Sequence, residues 1–253
     1  MTDGVVHHGE QRGIHRLLLD HGPNALDLSM MRALGGEIER LVAAGAPAFV
    51  LASAHPTMFC PGWDLKILGD AGHDQVAAFL DAFNELVLAL FSYPGPTAAE
   101  IGGHAVAGGC LLAACCDLRV MAGGRPRLGL SELNLGVPVP WSSLRMLRAR
   151  LGSSALDELV FRGEGCPAER ARELGIVHRV VQATELTATT MLELGRLASR
   201  PMRAFVESKR FLFGGVWQEM AGGSAAADAA FLECWFDPET RQRIAVAAGR
   251  LGS

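Results

Sequence analysis

The sequence lacks the runs and spacings that would place it in several large functional classes. No uninterrupted apolar segment is long enough to cross a bilayer as a helix, so no membrane partner is expected. No run of five basic residues occurs and the formal charge is −4, which removes the electrostatic footprint of a nucleic-acid binder. No cysteine pair has C-x-x-C spacing, and the histidines are scattered without ligand spacing, so neither a disulfide framework nor a metal site is expected. No G-K-[ST] follows any glycine loop, and no G-x-G-x-x-G opens a helix, which disfavours a P-loop or a dinucleotide cofactor. The opening MTDGVVHHGEQRG has no apolar core of signal-peptide length, and the final RLGS is not a peroxisomal address. The expectation is a cytoplasmic protein.

What the chain has is a high apolar content, 49% hydrophobic against 20% charged residues over 253 positions, enough for a sizeable core. It also has glycine-rich turns between short apolar runs. Val5 to His8 and Ile14 to Asp20 read as a hairpin. Ser29 is the expected cap of a helix carrying Met30, Leu34, Ile38 and Leu41 on one face. Ala48 to Ala52, Thr97 to Ile101 and Leu118 to Met121 read as short strands, and Asp74 to Leu90 as a long helix. Strand, glycine turn and helix recur in that order, which argues for α/β layering. From Trp141 onward the chain reads as mostly helical, with Thr184 and Pro201 opening helices that run to Leu197 and Phe213. Val177 to Val181 is a connector or a strand. Ala225 to Phe236 and Pro238 to Ala248 close the chain, with a soft boundary near Arg200-Pro201.

Two stretches carry candidate chemistry. Ile101 to Asp117 holds Gly102, Gly103, Gly108 and Gly109 ahead of a small-residue apolar run. Free backbone N–H groups at such a helix start favour an anion, or an oxygen that becomes one during reaction. The same glycines equally suit a tight packing turn. Glu132 is the one charged residue between Leu128 and Leu144. Either it lies on an exposed loop, or it is desolvated, with a raised pKa suited to proton transfer near neutral pH. A second glycine turn, Met58 to Lys66, contains Trp63, which either closes a pocket or packs.

Taken together, these segments resemble the enoyl-CoA hydratase/isomerase (crotonase) family over nearly the whole chain. The matching pieces are Pro23-Asn24-Ala25-Leu26, Phe59 to Leu65, Gly103 to Cys110 with Asp117, Ser131-Glu132-Leu133 with Gly136, and Gly175-Ile176-Val177 with Val180-Val181. The resemblance implies a spiral of ββα repeats over 1–200 and a helical C-terminal region over 201–253 that builds trimers or dimers of trimers. It implies an acyl-CoA thioester substrate, with coenzyme A as part of that substrate and no other cofactor. The backbone N–H groups of Trp63 and Gly108 would bind the thioester oxygen. Ala25, Asp64, Leu65, Lys66, Leu111, Pro140, Trp141 and Lys209 would contribute to substrate binding. Lys66, Lys209 and Arg210 are candidates for the coenzyme A phosphates, against the reading of solvated surface cations. Asp117 and His104 are assigned to structure. Family hydratases carry two glutamates; this chain has Leu111 where one of them stands and Glu132 at the other. That pattern resembles the Δ3,Δ2-enoyl-CoA isomerases, with a weak hydratase, another acyl-CoA reaction or a non-catalytic acyl-CoA-binding protein as rivals.

Overall fold

After an opening hairpin in the larger sheet, the chain lays down three successive pairs of strands, one strand for each of two sheets, and a helix follows each pair. The computed structural model describes residues 6–250, so Val5 of the first expected strand lies outside the described residues. A hairpin of β1 (Val6–Gln11) and β2 (Ile14–Leu19) leads to α1 (Leu28–Ala43). Next come β3 (Phe49–Ser53), β4 (Met58–Cys60), the short α2 (Leu65–Leu68) and the long α3 (His73–Phe91). Then follow β5 (Thr97–Ile101), β6 (His104–Val106) and α4 (Gly108–Cys115), and after them β7 (Leu118–Ala122), β8 (Arg127–Gly129) and α5 (Glu132–Leu135). The remainder is α6 (Trp141–Arg150), α7 (Ser153–Leu156) continuing as a π turn to Phe161, β9 (Cys166–Pro167), α8 (Ala168–Glu173) and β10 (Arg179–Val181). Four helices close the chain: α9 (Leu186–Ala198), α10 (Met202–Gly222), α11 (Ala225–Phe236) and α12 (Pro238–Arg250).

The six-stranded sheet has the order β1-β2-β3-β5-β7-β10, and the four-stranded sheet the order β4-β6-β8-β9. The three units that start with β3, β5 and β7 each advance one strand in both sheets at once, which makes the path a spiral. All pairings are parallel except β1 with β2 and β8 with β9. Parallel strands are covered on both faces, and the β3 sequence FVLAS fits that, apolar at four consecutive positions. Phe49 and Leu51 join Leu17, Leu19 and Ile101 in the main core. Val50 and Ala52 face the other way, onto Ala98 and Leu194 of α9. The mixed α/β architecture expected from the sequence is the observed one.

Local differences have local causes. Asp27, not Ser29, caps α1, its Oδ1 accepting from the Met30 N–H at 2.7 Å. Thr184 lies in a 3₁₀ turn, Ala183–Glu185, and α9 starts after it without a side-chain cap. Helix α10 continues past Gly214-Gly215 to Gly222, because Val216, Trp217 and Met220 pack on the core beyond those glycines. The tertiary contact outweighs the roughly 1 kcal/mol cost of each helical glycine.

Lys209 requires a correction. It is 4% exposed, and its Nζ donates to Asp117 Oδ2 at 2.7 Å and to the Gly95 carbonyl at 3.4 Å. It therefore does not reach a ligand in solvent. Asp117 also accepts from the Thr97 N–H and Oγ1 at 3.0 Å, and from Arg150 at 3.0 Å. Burial pushes the Asp117 pKa up, but Lys209 and Arg150 more than offset this and hold the carboxyl below the usual range. This network ties β5, α6 and α10 to the end of α4. Asp117→Ala leaves two buried cations without their counter-ion and is expected to lower unfolding free energy by about 3–5 kcal/mol. A shifted urea midpoint checks this; an unchanged midpoint would mean the network contributes nothing.

Candidate active site

Three loops converge on one cavity. The first is Pro61-Gly62-Trp63, between β4 and α2. Leu26 forms a parallel bridge with Trp63: the Leu26 N–H donates to the Gly62 carbonyl at 2.8 Å, and the Asp64 N–H donates to the Leu26 carbonyl at 2.9 Å. That pattern uses the amides on either side of Trp63. The Trp63 N–H itself has no acceptor among the described residues. Leu26 is fixed in turn by Asn24, fully buried at φ 65°, whose Nδ2 donates to Ser53 Oγ at 2.7 Å and to the Phe59 carbonyl at 3.2 Å.

The second loop is the start of α4. Ala107 sits at φ 49° and ψ −122°, a conformation that costs an L residue on the order of 1–3 kcal/mol. It is held there by its N–H to the Gly129 carbonyl at 2.9 Å and by its carbonyl to the Leu111 N–H at 3.1 Å. The Gly108 N–H opens the helix with no acceptor among the described residues. Glycine is required here by close approach. A Cβ on Gly109 would lie 2.0 Å from the Cys60 carbonyl oxygen, and one on Gly62, at φ +92°, would lie 2.9 Å from Gly108 N. The two amide-bearing loops thus abut.

The third loop brings Glu132, first residue of α5. It is 8% exposed, and its Oε2 has no hydrogen-bond partner among the described residues. Burial raises its pKa to about 7, against a smaller lowering by the backbone N–H groups of Glu132 and Ser131.

The cavity has a volume of about 70 Å³. Trp63, Gly108, Leu111, Glu132, Leu65 and Pro140 all line it, so the structure brings together six of the residues singled out from the sequence. Leu111 is fully buried and apolar, leaving Glu132 as the one carboxylate among the lining residues. The other candidates lie off the cavity wall. Asp64 caps α2 through the Lys66 N–H at 2.9 Å. Lys66 is exposed beside it, Ala25 is half-buried, and Trp141 lies under Arg145 at 5.9 Å. Arg210 is exposed and pairs with Glu207 at 2.7 Å. His104 Nδ1 accepts from the Arg127 N–H at 3.2 Å, joining β6 to β8.

Sequence reasoning missed the aromatic wall. Phe231 and Trp235 of α11 line the cavity with Phe83 of α3, and the Trp63 indole packs against all three with ring centroids 5.7 Å apart. The C-terminal region therefore contributes to the site within its own chain. The only sequence signal was the apolar pair at i and i+4, which marks any packed helix face.

A two-sheet ββα spiral whose cavity is lined by one buried carboxylate and by two residues with unpaired backbone N–H groups among the described residues has the crotonase fold. The chain matches the Enoyl-CoA hydratase/isomerase family model over residues 9–238 and belongs to that family. It is 37% identical over 165 residues to the Enoyl-CoA isomerase/hydratase claC of Penicillium crustosum, covering 63% of this chain and 19% of that protein. It is 31% identical over 193 residues to mouse mitochondrial Enoyl-CoA hydratase domain-containing protein 3, covering 75% of this chain and 64% of that one. The chain thus spans less than two thirds of the first curated relatives it matches. The crystal structure of human mitochondrial delta3-delta2-enoyl-CoA isomerase superposes with a TM-score of 0.92, covering 98% of each chain at 23% identity, a likeness of fold. No helix among the described residues is long and apolar enough to cross a membrane.

Proposed function

We propose that this chain is an enoyl-CoA isomerase, moving the double bond of a 3-enoyl-CoA to give the 2-trans-enoyl-CoA. The observation that carries the reading is the single carboxylate: Glu132 faces the cavity, and the fully buried Leu111 stands where a second acid would hold water. The ionised Glu132 takes a proton from C2 of the substrate. The electrons move into a dienolate whose oxygen accepts from the Trp63 and Gly108 N–H groups. The protonated Glu132 then returns the proton at C4, and the double bond moves into conjugation with the thioester. Each such amide lowers a barrier of this kind by roughly 3–4 kcal/mol when it is pre-aimed in a dry site. The aromatic wall of Phe83, Phe231 and Trp235 supplies the dryness. A pKa near 7 keeps Glu132 competent both to take and to return the proton.

A hydratase is the second reading, favoured by the names of several relatives, such as the 2,3-dehydroadipyl-CoA hydratase of Escherichia coli at 29% identity over 178 residues. One assay separates the two. Purified protein receives a 3-enoyl-CoA, then separately a 2-trans-enoyl-CoA, while conjugated-thioester absorbance is followed and products are resolved. Rising absorbance with the first and little change with the second is the expected result. Loss of absorbance in the second, with 3-hydroxyacyl-CoA formed, makes it a hydratase. No change in either overturns both readings.

A further inference from the structure

One turn of the C-terminal helix touches both halves of the site. Asp237 follows Phe236, the last residue of α11, and its Oδ1 accepts from the Glu239 N–H at 2.9 Å and the Thr240 N–H at 3.3 Å, fixing the start of α12. The next two side chains point to different loops. Thr240 is 4% exposed, and its Oγ1 donates to the Gly136 carbonyl at 3.3 Å. Gly136, at φ 97°, is the C-cap of α5, and its N–H and that of Val137 donate to the Glu132 carbonyl at 3.1 Å. Thr240 therefore grips the short turn whose first residue is Glu132. Space for that grip exists only because residue 136 is glycine: a Cβ there would lie 2.3 Å from Thr240 Oγ1.

Arg241 reaches the opposite wall. Its guanidinium donates to the Leu68 carbonyl at 3.3 Å and to the Gly69 carbonyl, and lies over the Phe236 ring at 5.4 Å. Leu68 and Gly69 end α2, and their N–H groups bond back to the Asp64 and Leu65 carbonyls at 3.1 and 2.8 Å. Helix α2 is one turn long, and only its cap, Asp64, separates it from Trp63. A helix that short has little stability of its own, so its orientation depends on what holds its ends. Arg241 satisfies the carbonyls at one end, and Asp64 caps the other.

The geometry points to Thr240 and Arg241 as positioning residues, a brace that sets the distance between the base and the amide-bearing loop. The family match ends at residue 238, so the brace lies beyond it. This inference rests on the proposed roles of Glu132 and the Trp63 amide. The brace touches no substrate and acts through backbone carbonyls. Its effect belongs in kcat, because an error on the order of 1 Å between reacting groups costs about a hundredfold in rate.

The test uses the full chain with Thr240→Val, Thr240→Ser, Arg241→Met, Arg241→Lys and the exposed neighbour Glu239→Gln. Turnover of a 3-enoyl-CoA is measured alongside the infrared carbonyl stretch of bound butyryl-CoA, an unreactive thioester that reports hydrogen bonding at its oxygen. Expected for Arg241→Met are a kcat lower by about tenfold or more, little change in KM, and a carbonyl stretch shifted back toward the free ester. Thr240→Val lowers kcat similarly but leaves the stretch at the wild-type position, since it loosens the base side. Arg241→Lys and Thr240→Ser recover part of the loss, and Glu239→Gln matches wild type. If Arg241→Met and Thr240→Val lower only the melting temperature, with kcat and carbonyl stretch unchanged, the brace is structural and the inference is wrong. If the wild type neither turns over the ester nor shifts its carbonyl, the functional reading fails and the brace with it.

Discussion

Replacing Glu132 with glutamine is expected to lower isomerase turnover by roughly 10²–10⁴-fold, while acyl-CoA esters still bind. The amide keeps the shape of the side chain and cannot take the C2 proton. The wild-type protein is expected to carry a signature of the same group. The proposed base is the deprotonated form, so turnover is expected to rise with pH through about 7 and then level. Stability moves the other way. The folded pKa of about 7 lies above the ordinary 4.5, so the folded state holds the Glu132 proton more tightly than the unfolded chain does. The contribution is fully present below pH 4.5 and is lost as pH rises through 7, a difference of order 3 kcal/mol. Glu132→Gln has no charge to bury, so at pH 8 it is expected to melt above the wild type while being inactive. Activity traces and melting curves at pH 5 and pH 8 check both halves. An active variant would sink the assignment of Glu132 as the base.

Gly62→Ala is the second large effect. The new Cβ would lie 2.9 Å from Gly108 N and 2.9 Å from the Ala107 Cβ, and 3.3 Å from the Val106 carbonyl. Those atoms are mostly backbone, so the two amide loops must separate. Losing the aim of one donor costs about 10²–10³ in kcat. The residue also sits at φ +92°, a conformation that costs alanine stability wherever it occurs. Gly175→Ala separates the two causes. Gly175 has φ +73° with nothing within 4 Å of a Cβ, so that variant carries backbone strain without wedging any loops apart. Expected is a lower melting temperature for both variants and a collapsed kcat for Gly62→Ala alone. Equal kcat values would detach the Trp63 and Gly108 amides from the chemistry.

Much of the layout was legible because it is written locally. Thr97–Ile101 and Ala225–Phe236 stand where the apolar runs and flanking breakers put them. The glycines at 108 and 109 marked either a close backbone approach or a packing turn, while the need for glycine at 62 showed only in the fold, where its neighbour is Gly108 N. Glu132 stood out because nothing near it in sequence is charged. The small sheet was not legible: β4, β6 and β8 are three residues each and β9 is two, too short for alternation to register. Nor was the fate of Lys209, since a lysine on a helix face reads as solvated until the fold sets it against Asp117, 92 positions earlier.

The sequence by itself determined the α/β alternation, the family resemblance, the amide-bearing turns and the lone acid. These depend on residue type and on neighbours a few positions away. The tertiary structure alone decided which of them meet. It turned the Trp63 N–H out of the Leu26 bridge, buried Glu132 far enough to raise its pKa, closed the cavity with α11 and fastened both walls to α12. Desolvation and hydrogen-bond direction depend on everything packed around a group. For Glu132 and Trp63, most of that packing comes from residues far away along the chain.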